Sequence, residues 1–147
     1  MWLKKLIMLE LGSGNMIFVD SNFIIALSLK KHNKHDRAVK IWEKIQNEDK
    51  ITSKLVVTEV LNILNVRLKQ NIELTEKVYN FIAHNIKVLY DNEYHDKAFQ
   101  YLKLYYPDER LPFNDCVYMV LMEELEIEKI ASFDRHFDLN DKIIRVH

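Results

Sequence analysis

Four carboxylates stand where a single structural need explains each one but not the set. Asp20 directly follows the apolar run Met16–Val19, and Asp134 follows Lys129–Phe133. Glu59 is the only acid between Lys50 and Ile72, and Asp115 the only one from Leu111 to Met122. Taken singly, Asp20 and Asp134 read as helix or turn caps. Asp115 reads as a first-turn acid favoured by the helix dipole, with Asn114 as the cap. Glu59 reads as half of an ion pair with a lysine or arginine. Taken together they carry a chemistry. Several carboxylates in one small site repel one another unless a cation joins them. Oxygen donors select Mg²⁺ or Mn²⁺, and a carboxylate-held metal pair serves phosphodiester hydrolysis.

Whether the acids meet depends on the elements that carry them. Apolar runs and helical spacing predict strands at Met16–Val19, Ile86–Tyr90, Lys129–Phe133 and Ile143–Val146, with at most a very short one at Ile51–Thr52. Helices are expected over Ser21–Lys30, His35–Asn47, Lys54–Lys69, Leu74–His84, Glu93–Tyr105 and Asn114–Glu126, with Pro107–Pro112 a loop. Short strands alternating with longer helices imply an α/β chain whose parallel sheet is covered on both faces. Such sheets bind ligands at the carboxyl ends of their strands, where Asp20 and Asp134 stand. Glu59 falls on a helical stripe with Leu55, Ile63 and Val66, which is otherwise apolar. Phe99, Leu102 and Tyr106 share another stripe, expected to pack in the core or in a dimer.

Composition narrows the chemistry further. The 147 residues suit one domain, and 48% hydrophobic with 29% charged residues is an ordinary globular balance. The 2 glycines, Gly12 and Gly14, compare with roughly 10 at average usage. A phosphate-wrapping P-loop and a dinucleotide fingerprint are therefore excluded. The single cysteine, Cys116, excludes an internal disulfide and a multi-cysteine zinc site, and its apolar setting reads as a buried thiol in a reducing, cytoplasmic location. No apolar run approaches the ~20 residues of a membrane span. The net charge of −1 gives no global argument for nucleic acid, but Lys30 to Lys44 is locally basic. Lys31 and Lys34 there are candidate RNA contacts, against the plainer reading of a solvated helix face. The histidines show no catalytic spacing, and His32-x-x-His35 reads as a solvated loop. Residues 1–15 are expected to be an appendage or a mis-assigned start, and residues 16–147 the domain.

The motifs Met16-Ile-Phe-Val-Asp20-Ser-Asn22, Thr58-Glu59-Val60, Leu111-Pro-Phe-Asn-Asp115 and Ala131-Ser-Phe-Asp134-Arg-His-Phe137 follow in an order and spacing that resemble a PIN-domain ribonuclease. The likeness is greatest to the VapC-like toxin of a toxin–antitoxin pair. It implies a three-layer α/β/α sandwich with a central, mainly parallel sheet. It implies an Mg²⁺- or Mn²⁺-dependent endoribonuclease, a homodimer, RNA as substrate and an antitoxin protein as partner. By the same likeness Asp20, Glu59, Asp115 and Asp134 are the catalytic acids. Asp20 and Asp115 are direct metal ligands, Asp134 completes the metal site, and Glu59 supports a ligand or a water. Asn22 and Ser132 orient carboxylates or water. Ser132 stands where threonine is common, which keeps the hydroxyl, and the chain departs from the family at two further points. His136 stands where many relatives carry a further acid, with Asp138 the nearby substitute at a different spacing. Glu126-Ile127-Glu128 fills a turn where many relatives have glycine. Two other readings share the fold: an RNA-processing nuclease outside a toxin–antitoxin pair, and a non-catalytic interaction domain. A receiver domain lacks its lysine after the last strands, and Asp20-Ser21-Asn22 breaks the Asp-x-Asp of a haloacid-dehalogenase-like phosphatase.

Overall fold

Ile17, Phe18 and Val19 have no solvent exposure because β1 (Met16–Val19) is the middle strand of the sheet. The computed structural model describes Trp2, Leu6 and residues 15–147. The expected appendage over residues 1–15 lies almost wholly outside them. From β1 the chain forms α1 (Ser21–Ser28), α2 (His35–Lys44), β2 (Asp49–Ser53), α3 (Lys54–Asn62), α4 (Ile72–Asn85) and β3 (Lys87–Leu89). It continues through α5 (His95–Tyr105), α6 (Phe113–Glu124), β4 (Lys129–Ala131) and β5 (Ile144–Val146). All four strand pairings are parallel, in the order β3-β2-β1-β4-β5.

The order reverses between β1 and β4. The crossovers through α1–α2 and α3–α4 run toward one edge, and the return through α5–α6 crosses back. Right-handed crossovers then place the two helix groups on opposite faces. Helix contacts agree: α1 packs on α2 and α3, α3 on α4, and α5 on α6. This is the expected three-layer arrangement. Helix α6 is buried without a break from Asp115 to Met122, and the Tyr118 ring lies 5.3 Å from that of Phe18. Local chemistry sets the boundaries. Asp20, Ser53 and Asn71 cap α1, α3 and α4 through side-chain oxygens that accept from backbone N–H groups.

Several sequence expectations are corrected. The short strand at Ile51–Thr52 is the five-residue β2, because Asp49 and Lys50 pair with Met16 and Ile17 although their side chains are polar. The helix expected over Lys54–Lys69 leaves α geometry at Asn62 and ends in a π turn over Ile63–Arg67. The strand expected to reach Phe133 stops at Ala131, because the Ser132 and Phe133 backbone turns into the site. The stripe through Glu59 lies at the margin of the core: the core face of α3 is Val56, Val57 and Val60, while Leu55 and Ile63 are half-buried and Val66 is 68% exposed. Phe99 is exposed on α5 while Tyr106 is buried. Cys116 is a buried thiol as expected, and burial pushes its pKa up to about 11.

Candidate active site

The crevice at the carboxyl ends of β1 and β4 is the topological switch point of the sheet, where open α/β folds bind ligands. Register delivers two of the acids to it. Val19 pairs with Ala131, so Asp20 and Ser132 emerge side by side, tied by the Asp20 N–H to the Ala131 carbonyl at 3.1 Å. Asp20 is both the cap of α1 and a candidate site residue. Its Oδ1 accepts from the Ser21 N–H at 2.8 Å, and its Oδ2 accepts from the Ser132 hydroxyl at 2.7 Å. The same Ser132 oxygen accepts from the Asp134 N–H at 3.0 Å. Asn22 braces this turn, its Oδ1 accepting from the Phe133 N–H at 3.0 Å. Ser132 thus links the β1 acid to the β4 acid, and Asn22 holds the backbone between them.

Helices supply the other two. Asp115 sits in the first turn of α6, buried to 6% exposure. Pro112, not Asn114, occupies the cap position of that helix. Asn114 instead donates from Nδ2 to Glu59 Oε1 at 3.1 Å, while the Tyr118 hydroxyl donates to Glu59 Oε2 at 2.5 Å. The ion pair that sequence alone offered for Glu59 is replaced by these two neutral donors. They orient the carboxylate through hydrogen bonds alone.

The four acids feel one another. Burial raises the Asp115 pKa to about 8, helped by the charges of Asp20, Asp134 and Glu59 and by a hydrogen bond with Asp134. Burial likewise lifts Asp20 to about 7, against the lowering effect of Ser132 and Ser21 and with the help of Glu59 and Asp134. Among the described residues, no lysine or arginine forms an ion pair with any of the four. The basic group that reaches them is His136, whose Nδ1 lies 3.2 Å from Asp115 Oδ2 and 3.0 Å from Asp134 Oδ1. Sequence reasoning missed it. The usable signal was its place two residues past Asp134, where the family tends to carry an acid. Asp138 does not substitute there, since it is exposed and paired with Arg145 at 2.8 Å.

A cation fits this donor set. Carboxylate oxygens whose pKa values are raised by burial and, to a lesser extent, by one another's charge lie together with little positive charge between them, and a divalent ion stabilises their charged forms. Carboxylates of Asp115 and Asp134 and the His136 ring each bring a ligand atom within 4.8 Å of the others. Lys34 stands at the rim, its ammonium 5.0 Å from the centre of the Phe133 ring. Lys31 is exposed in the same loop.

The family model for the PIN domain matches residues 17–143. The chain belongs to the PIN domain family. No curated protein matches it in sequence. Its fold is similar to that of VapC20 of Mycobacterium tuberculosis, a sarcin–ricin loop cleaving toxin, with TM-score 0.77 and 22% identity over 88% of this chain and 98% of that one. FitAcB of Neisseria gonorrhoeae matches with TM-score 0.68 and 17% identity, covering 90% of this chain and 97% of that one. VapBC2 of Rickettsia felis, bound to a DNA fragment from its promoter, matches with TM-score 0.67 and 14% identity over 89% and 97%. This PIN domain carries the parallel sheet and α/β sandwich expected from its sequence. Among its described residues, no helix is long and apolar enough to cross a membrane.

Proposed function

We propose that this PIN domain is a metal-dependent endoribonuclease and the toxin of a toxin–antitoxin pair. The observation that carries the reading is the meeting of Asp20, Glu59, Asp115 and Asp134, from four separate stretches of chain, at one edge of the sheet. Asp20, Asp115 and Asp134 would hold Mg²⁺ or Mn²⁺. When bound, such an ion activates water and stabilises charge on a phosphodiester oxygen. The chain's own groups set the geometry. The Ser132 hydroxyl fixes which lone pairs Asp20 Oδ2 presents to the crevice. Tyr118 and Asn114 hold the Glu59 carboxylate in place, from where it orients a water and accepts its proton. Lys34 and Lys31 at the rim attract the RNA backbone, with Lys34 anchored over Phe133.

The likeness to VapC20 supports RNA as the substrate, and the likeness to VapBC2 supports an antitoxin partner. A homodimer and a cytoplasmic location belong to the same reading. The test is cleavage of a structured RNA in the presence of Mn²⁺ by the wild type and by Asp20→Asn. Cleavage by the wild type that falls at least 100-fold in the variant is expected. Equal activity in both would remove Asp20 from the chemistry and the reading with it.

A further inference from the structure

We propose that His136 Nδ1 is a metal ligand in this site, giving it a mixed nitrogen and oxygen donor set and a preference for Mn²⁺ over Mg²⁺. The inference rests on the metal-dependent reading above and deepens it. Its first support is distance. Donor atoms held about 2.1 Å from a six-coordinate ion, at right angles to one another, lie about 3.0 Å apart. His136 Nδ1 lies 3.0 Å from Asp134 Oδ1 and 3.2 Å from Asp115 Oδ2.

The second support is fixation. Asp134 opens the short 3-10 turn Arg135–Leu139 and accepts from the His136 N–H at 2.9 Å. Phe137, the next residue, is fully buried and anchors the turn to the core. The turn therefore carries His136 to the acids, where its half-exposed ring meets both Asp115 and Asp134 through Nδ1.

The third support is chemistry. Asp20 and Asp115 already place carboxylate oxygens in the crevice, and an added imidazole changes the type of donor and not only the number. Mg²⁺ favours oxygen and gives up water reluctantly, whereas imidazole nitrogen suits transition-metal ions. The alternative role for His136 is a counter-charge that neutralises Asp115 and Asp134 when no ion is bound. That role predicts no bond between nitrogen and metal.

Pulsed electron paramagnetic resonance of the full chain loaded with Mn²⁺ separates the two, because a directly bound ¹⁴N modulates the echo and a distant one does not. The expected result is nitrogen modulation in the wild type and its loss in His136→Asp, which still binds Mn²⁺. Isothermal titration should show the ratio of Mg²⁺ to Mn²⁺ dissociation constants falling about tenfold in that variant. Mn²⁺ bound without nitrogen modulation, or modulation that persists in His136→Asp, would overturn the inference and leave the metal site standing. Failure of the wild type to bind Mn²⁺ would overturn both.

Discussion

Replacing Asp115 by asparagine should make the metal-free protein more stable, and increasingly so as pH rises. The Asp115 carboxyl is lifted from 3.8 to about 8 by burial and by its acidic neighbours, so the folded chain binds this proton more tightly than the unfolded chain. A raised carboxyl pKa favours the native state at low pH and erodes stability as pH climbs from about 4 to about 8. Asparagine keeps the shape of the protonated side chain and never ionises. Its advantage over aspartate is the free energy of that lost proton affinity, at 1.36 kcal/mol per pH unit. That gives roughly 1–2 kcal/mol at pH 5 and several kcal/mol at pH 8. Urea denaturation in excess chelator, at both pH values, measures the difference. Adding Mn²⁺ should narrow the difference: the wild type gains about 2.7 kcal/mol at an ion concentration 100 times the dissociation constant, and Asp115→Asn gains little. A variant less stable than the wild type at pH 8 in chelator, or a difference that does not change with pH, would refute the electrostatic account of the site.

Two further outcomes follow from other parts of the chain. Glu126 has φ 55° in the turn after α6, where the Ile127 N–H bonds the Met122 carbonyl and the Glu126 N–H the Glu123 carbonyl. That is the helix-ending pattern that favours glycine, so Glu126→Gly should raise stability by about 0.5–1 kcal/mol, seen as a higher urea midpoint at unchanged slope. A lowered midpoint would mean that the glutamate side chain contributes more than the left-handed backbone costs. Lys34→Glu should weaken binding of a non-cleavable RNA and reduce the slope of log affinity against log salt by about 1, with the thermal midpoint unchanged; an unaltered slope would take Lys34 out of the RNA path.

The candidate site was legible in the sequence wherever a local rule and the proposed chemistry fell on the same residue. Asp20 could be found because a buried strand ends on it, and the structure gives it both duties, capping α1 and facing the crevice. Asp134 follows the same rule after β4. Glu59 was found by its isolation, but its partners were not, since Asn114 and Tyr118 lie 55 and 59 residues away and meet it only through the packing of α6. Asn114 was read as a cap because caps are local and tertiary partners are not. His136 was noticed only as a departure at a position where relatives carry an acid, because its approach to Asp115 depends on the 3-10 turn and on the packing of α6. Polar β2 was underestimated because its pairing with β1 is a backbone matter, indifferent to the charge of Asp49 and Lys50.

The absence of glycine beyond Gly14 bears on how this site can work. A loop that binds phosphate through backbone N–H groups needs conformations that only glycine reaches cheaply. Without them, recognition of a phosphodiester falls to side chains and to whatever those side chains hold. Here the side chains at the sheet edge are acids, which repel a phosphate by themselves. Burial has already driven Asp20 and Asp115 toward neutrality, so the same packing that destabilises the metal-free crevice increases the gain on binding a divalent ion. On the proposed function a cation would resolve both conflicts at once, by restoring the charged carboxylates and reversing the sign of the field that an RNA substrate would meet. The fold supplies the stability to sustain that arrangement, with Ile17, Phe18 and Val19 of β1 fully buried beneath the site and Tyr118 packed on Phe18.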